Sequence, residues 1–349
     1  MNADLEVTRF LNEETPFRNT PRVAGAIEYS ANGQRDPTTV AILQNYTPNS
    51  GDAWRYTLDV IGRFFERVLS DPGAIERIIK STPSEPLLDL ANRAVSDDVK
   101  GLIGGYLADA ELLGTRTAEM HLALASRDDI PAFAPEPFTP HYQRSIYQSI
   151  RSQAVQALQT LRRRAKGLEE AETLLSNETE IHRRLREVIT TRIGGSRIRT
   201  HGDYHLGQVL YTGNDFVIID FEGEPARPLS ERRIKRSALR DVAGMLRSFQ
   251  YAPYAVVLGQ AEGSVIRTED VAALEEGGRF WQRWVSAAFL RAYLATSAAA
   301  PHLPANREEL RLLLDAYLLE KALYEIVYEL NHRPDWVRIP IRGVLELLA

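Results

Sequence analysis

The sequence predicts an α+β fold, with two short β-rich regions set among long amphipathic helices. Three observations lead there: alternating β-branched residues over 23–29 and 38–46, a second hairpin pattern over 209–220, and apolar residues at helical spacing through much of the rest. With 349 residues, 44% of them hydrophobic, the chain has material for one large or two moderate domains with buried cores.

Charge and composition narrow the function classes. A net charge of −5 and a pI near 5.9 give no electrostatic footprint for nucleic acid, so a small-molecule partner is expected. The chain has no cysteine, which excludes disulfides and thiolate metal sites and makes the cytoplasm the expected compartment. Residues 1–6 lack a signal-peptide pattern, and no run reaches the roughly 18 apolar residues of a membrane span, so no membrane partner is expected.

Taken in order, residues 5–14 read as a helix, and 23–29 and 38–46 as a hairpin around the turn-prone Asn32-Gly33. Asp52 is placed to cap a helix carrying Ala53, Tyr56, Val60, Phe64 and Val68 on one side. A helix is expected across 101–126. A loop follows at Pro131, Pro135, Pro137 and Pro140, then polar helices over 141–166 and 168–191. Strands are expected at 198–201, 209–211 and 216–220, the last two joined by the turn Thr212-Gly213-Asn214-Asp215. Leu239, Val242, Leu246 and Phe249 mark one further helix, and residues 310–331 another. The division expected is a small β-containing unit over 1–46 and a mainly helical one over 47–349.

The chemistry is concentrated in two acids. Asp203 and Asp220 flank the second hairpin, so folding brings a loop carboxylate near a strand-end carboxylate, with Gln208 able to add a neutral oxygen. Magnesium takes one or two carboxylates plus phosphate oxygens and water, and this sparse set suits it better than a closed cage. In phosphoryl transfer one acid aligns the acceptor hydroxyl while another holds the metal that bridges the nucleotide phosphates. Asp203 fits the first role and Asp220 the second. His201 and His205 are four residues apart, but Gly202-Asp203 breaks a helix between them and no Glu follows His201, which disfavours zinc. Arg162-Arg163-Arg164 reads as a solvated face, whereas Arg232-Arg233-Ile234-Lys235-Arg236 follows the second acid closely enough to tie its loop down.

The run His201-Gly202-Asp203-Tyr204-His205-Leu206-Gly207-Gln208 resembles the catalytic loop of aminoglycoside-phosphotransferase-like kinases, and Asp220-Phe221-Glu222 their metal-binding motif. The extension Gly223-Glu224-Pro225, the run 239–249, Lys321 to Glu329 and Arg333-Pro334-Asp335-Trp336 resemble the maltokinase family in particular, over nearly the whole chain. That resemblance implies a protein-kinase-like fold and ATP-dependent phosphorylation of maltose to maltose 1-phosphate, feeding α-glucan synthesis. It implies Asp203 and His205 as catalytic residues, with bracing of the loop an open alternative for His205. It further implies Gln208, Asp220 and Glu222 around Mg²⁺, and a sugar wall of Tyr324, Glu325, Tyr328 and Trp336.

The same resemblance makes residues 5–14 the kinase C-helix, Glu6 the partner of the phosphate-binding lysine, and Gln44, Asn45 and Tyr46 the hinge that meets adenine. The strands bearing that lysine would precede the C-helix, so the chain is expected to be a fragment, a mis-set start or a domain cut from a longer protein. Loss of such an electrostatic stabiliser typically costs about 10²–10³ in rate. Two alternatives stand beside maltose phosphorylation: a kinase for another hydroxylated metabolite, and a non-catalytic module of a trehalose synthase fusion with that enzyme as partner.

Overall fold

Local capping sets where the elements begin. In the computed structural model, which describes residues 2–30, 37–225, 227–259 and 266–348, the Asn2 side chain accepts from the N–H groups of Asp4 and Leu5 and opens α1 (Ala3–Glu13). An antiparallel ribbon follows, β1 (Val23–Tyr29) with β2 (Thr38–Gln44), pairing Val23 with Gln44 and Tyr29 with Thr38. The Asn32-Gly33 turn lies outside the described residues. The ribbon leaves Ile27, Tyr29, Val40 and Leu43 exposed. Asp52 then accepts from the Arg55 N–H at 2.8 Å and caps α2 (Ala53–Ser70), as its position in the sequence predicts.

The next helices are α3 (Ala74–Ser81), α4 (Leu87–Asn92), α5 (Asp97–Ile103) and α6 (Tyr106–Leu124). The helix expected across 101–126 is therefore interrupted. Gly104 adopts a φ of 79°, which ends α5 and redirects the chain before α6 begins. A two-residue strand, β3 (Glu136–Pro137), precedes α7 (Pro140–Arg164), α8 (Glu169–Ser176) and α9 (Glu178–Thr190); the helix expected at 168–191 is split at Asn177. β3 pairs with β4 (Ser196–Arg197), and of the strand expected at 198–201 only Ile198 remains paired, bridging to Arg236.

The second hairpin is short: β5 (Val209–Tyr211) and β6 (Phe216–Ile218), in register Val209 with Ile218. After it come α10 (Leu229–Arg232), α11 (Leu239–Val257), α12 (Val271–Thr296), α13 (Arg307–His332) and α14 (Arg338–Leu348). The core lies between α2, α6, α11, α12 and α13, where Phe64, Phe249, Phe280, Trp281, Trp284 and Tyr293 are fully buried. α12 presents no clean stripe, because its middle is enclosed on every side. Among the described residues no helix is long and apolar enough to cross a membrane.

α6 and α12 pack along much of their length, and Gly114 makes their close approach possible: a Cβ there would collide with the Phe289 carbonyl. Gly114→Ala gains helix propensity but forces the two backbones apart. The expected outcome is a net destabilisation of about 1–3 kcal/mol, read as a lower urea midpoint; a midpoint at or above wild type would show that the pair tolerates the spacing.

Candidate functional site

A buried carboxylate holds the loop between β4 and β5. Asp241, on the first turn of α11, accepts from the backbone N–H of His201 at 2.7 Å and of Gly202 at 2.9 Å. Behind it, His121 of α6 places Nε2 at 3.1 Å from the same carboxylate and Nδ1 at 3.0 Å from the Tyr293 hydroxyl. Burial pushes the Asp241 carboxyl up, but the His121 hydrogen bond, the neighbouring imidazoles and the Gly202 N–H outweigh it, and its pKa ends below the ordinary value. His201 is itself buried, donating Nε2–H to the Ile219 carbonyl at 2.9 Å and so tying the loop to the strand that leads to Asp220. Gly244 of α11 lets the helix pass under the loop, since a Cβ there would sit 2.5 Å from the Tyr204 carbonyl oxygen.

This clamp presents Asp203 and His205 on the wall of one cavity. His205 accepts the Gly207 N–H at Nδ1, and burial holds its pKa below the ordinary imidazole value, so the ring is neutral at pH 7. The Gln208 amide donates to Asp220 Oδ2 at 2.8 Å, and its own carbonyl oxygen accepts nothing among the described residues. Asp220 has a φ of 63°, the only described non-glycine residue in the left-handed region, a backbone cost often met at functional positions. Next to it Phe221 packs on the His201 ring, with centroids 4.9 Å apart. Glu222 is exposed; Asn2 donates to it, and Arg232 lies 3.7 Å away. Among the described residues no group of three or more His, Cys, Asp or Glu forms a metal cage. Asp220 and the Gln208 oxygen nonetheless match the few hard ligands that a phosphate-bound Mg²⁺ requires.

The cavity, of about 650 Å³, is walled on one side by α13. Residues 321, 324, 325, 328 and 329 recur at helical spacing, so one face of α13 delivers Lys321, Tyr324, Glu325, Tyr328 and Glu329 to it, and Trp336 closes the end. All four residues expected in a sugar wall thus line one cavity with Asp203. Each carboxylate there is tethered. Glu325 accepts from Arg247 at 2.9 and 2.6 Å, and Glu329 from Arg333 at 3.0 and 2.8 Å and from the Tyr251 hydroxyl at 3.2 Å. Burial raises the Glu329 pKa despite Arg333. Glu224, whose position one residue past Gly223 gave no functional signal in the sequence, lines the cavity too. Arg240 lies 3.5 Å from its Oε2, and the Tyr324 hydroxyl is a neighbouring donor to the same carboxylate.

The remaining expected residues lie elsewhere. Gln44 is the last residue of β2 and Asn45 and Tyr46 follow it, with Tyr46 82% exposed, and none of the three lines the cavity. Glu6 faces Arg199 at 2.9 Å and Arg233 at 2.7 Å. The α1 acid that meets the Asp220-Phe221-Glu222 loop is Asp4, which accepts the Phe221 N–H at 3.0 Å; burial, with Asp220 and Glu222 adding to it, raises its pKa. Asp4 lies ahead of the helix start that the sequence suggests, so nothing in the sequence singled it out. Arg232 donates to the carbonyls of Pro225 and Arg227, so the basic run ties down the loop after Glu222.

The architecture is that of the kinase-like phosphotransferases. Residues 99–223 match the model of the phosphotransferase enzyme family, spanning β5, β6 and both acidic motifs. Superposition on a solved glucosamine kinase in complex with glucosamine, ADP and inorganic phosphate gives a TM-score of 0.72 at 24% identity, covering 100% of this chain and 69% of that one. A second crystal form of a glucosamine kinase gives 0.70, over 99% and 70%. In sequence, the chain is 26% identical over 339 residues to the glucosamine kinase of Streptacidiphilus jiangxiensis, covering 95% of this chain and 62% of that protein. It is 31% identical over 152 residues to the enzyme of Mycolicibacterium smegmatis (strain ATCC 700084 / mc(2)155), covering 42% and 34%. The chain thus spans less than two thirds of these relatives' length. The maltokinase resemblance gains no support from them as to the particular sugar.

The clamp has a pH signature. Because the folded-state pKa of Asp241 is depressed, its contribution is complete above the unfolded value near 3.9 and is lost as pH falls through the folded value. Asp241→Asn is expected to cost about 1–3 kcal/mol in urea unfolding at pH 7, with the gap to wild type narrowing below about pH 4. A gap independent of pH would contradict an ionised Asp241.

Proposed function

We propose that the chain is the sugar-binding and catalytic part of an ATP-dependent kinase that phosphorylates a hydroxyl group of a small amino sugar, glucosamine being the leading candidate. One observation carries this reading. Asp203 opens onto a cavity lined by four carboxylates, Asp203, Glu224, Glu325 and Glu329, against two cations, Lys321 and Arg333, with Tyr324, Tyr328 and Trp336 as flat apolar walls. Aromatic faces suit the C–H faces of a pyranose, and the carboxylates, each held by a basic neighbour, offer acceptor oxygens to sugar hydroxyls or an ammonium group. The named activity of the relatives agrees.

In this reading the chain's residues hold the reaction rather than perform covalent chemistry. Asp203 orients the sugar hydroxyl and takes its proton late, so its low basicity is no obstacle. Asp220 and Gln208 would hold Mg²⁺, with Glu222 beside them; the metal supplies charge neutralisation for the nucleotide phosphates. Gln44, Asn45 and Tyr46 remain the adenine-side candidates and Asp4 joins Glu6 on α1, dividing the nucleotide-facing part over 1–46 from the sugar-facing part over 47–349.

Maltose is a second reading, favoured by the cavity's volume of about 650 Å³, which is roomy for a monosaccharide. ATP consumption with glucosamine, maltose, glucose, trehalose and an aminoglycoside separates the candidates. Glucosamine is expected to give the highest kcat/KM, and a preference for maltose would restore the second reading. If calorimetry finds no sugar bound and none is phosphorylated, a non-catalytic module, as in a trehalose synthase fusion, becomes the better account. Asp203→Asn is expected to lower kcat by about 10²–10⁴ with sugar affinity nearly unchanged; retained turnover would remove Asp203 from the mechanism.

A further inference from the structure

Lys321 stands at the junction of two spaces. It lines both the large cavity and the narrow crevice between Gly202-Asp203-Tyr204 and Arg240. Its Nζ is 3.7 Å from Asp203 Oδ1 and 5.3 Å from the centre of the Tyr324 ring, and its charge lowers the pKa values of both Glu224 and His205. The other cation on the cavity wall, Arg333, is committed to Glu329 by two short hydrogen bonds and lies over Trp336. Lys321 differs. Its pairing with Asp203 exceeds hydrogen-bond length, and it donates no hydrogen bond among the described residues, which leaves three N–H donors for an incoming anion.

We propose that Lys321 is a catalytic residue that binds the phosphoryl group as it arrives on the sugar, an assignment that rests on the sugar-kinase reading above. The sugar oxygen held at Asp203 forms its bond to the γ-phosphorus of ATP, the bond from that phosphorus to the β-γ bridging oxygen breaks, and ADP leaves with the electron pair. The hydroxyl proton goes to Asp203. Lys321 exchanges no proton; its ammonium meets the phosphoryl oxygens at the position where the product phosphate comes to rest. α13 suits the task because it is a rigid element, fixed one turn further on by the Glu325–Arg247 pair, so the backbone that carries the lysine stays in place beside Asp203.

The product gives a test that does not require turnover. Glucosamine, glucosamine 6-phosphate and glucosamine 1-phosphate are titrated by calorimetry into the full chain and into Lys321→Met. Lys321→Gln replaces the latter if Lys321→Met loses the wild-type melting transition. The mutation should weaken one sugar phosphate by about ten- to hundredfold, the worth of a charge-assisted hydrogen bond, while glucosamine changes by less than about threefold. In turnover, kcat should fall by about 10²–10³ with KM for the sugar little changed, and Lys321→Arg should recover at least about tenfold. Equal weakening of sugar and sugar phosphate, or no weakening of either, overturns the assignment while leaving the sugar-kinase reading intact. If wild type binds neither glucosamine nor its phosphates, that reading fails and the assignment falls with it.

Discussion

The site depends on one buried anion. Asp241 has no solvent to ionise into, yet three donors from two places in the sequence converge on it: His121 on α6, and the consecutive His201 and Gly202 N–H groups of the loop. An ionised carboxylate so placed fixes two consecutive peptide groups in a stretch that has no strand ladder of its own. Everything downstream inherits that position. His201, once held, bonds the Ile219 carbonyl and packs on Phe221, so the second acidic motif is located by reference to the first.

A second layer of charge pairs supports the cavity wall. Glu325 is backed by Arg247, Glu329 by Arg333 and Tyr251, and Glu224 by Arg227 and Arg240. Removing such groups from water is costly, and pairs of this kind repay it only when geometry and remaining hydrogen bonds are good. What they secure here is direction: carboxylates whose rotamers are set before any ligand arrives, which lowers the ordering cost of binding.

The sequence located the segments that line the candidate site better than it located the helix boundaries around them. His201 to Gln208 and Asp220-Phe221-Glu222 were legible because residue type and spacing around a hairpin both constrain them, and the face of α13 because its side chains recur at helical period. α12 was missed, since a helix buried all round shows no amphipathic stripe. Gly104 carried a helix break that the apolar pattern on either side concealed. Asp241 hid inside an apolar stripe, looking like the polar edge of α11, and only the three-dimensional convergence of its donors shows its weight. On α1 the sequence singled out Glu6 alone; Asp4 lay ahead of the expected helix start at residue 5, and only the packing of the helix against the Phe221 loop shows its contact there.

The double duty of α13 bears on how ligand preference could diverge by descent. A change at Glu325 alters the pocket and simultaneously strands the buried Arg247 guanidinium, so it carries a stability penalty unless both positions change together. Tyr324 and Tyr328 face the same cavity without a buried ion pair behind them. Selection for a new ligand therefore has its least obstructed route through the two tyrosines, while the acids behind them persist as inherited framework.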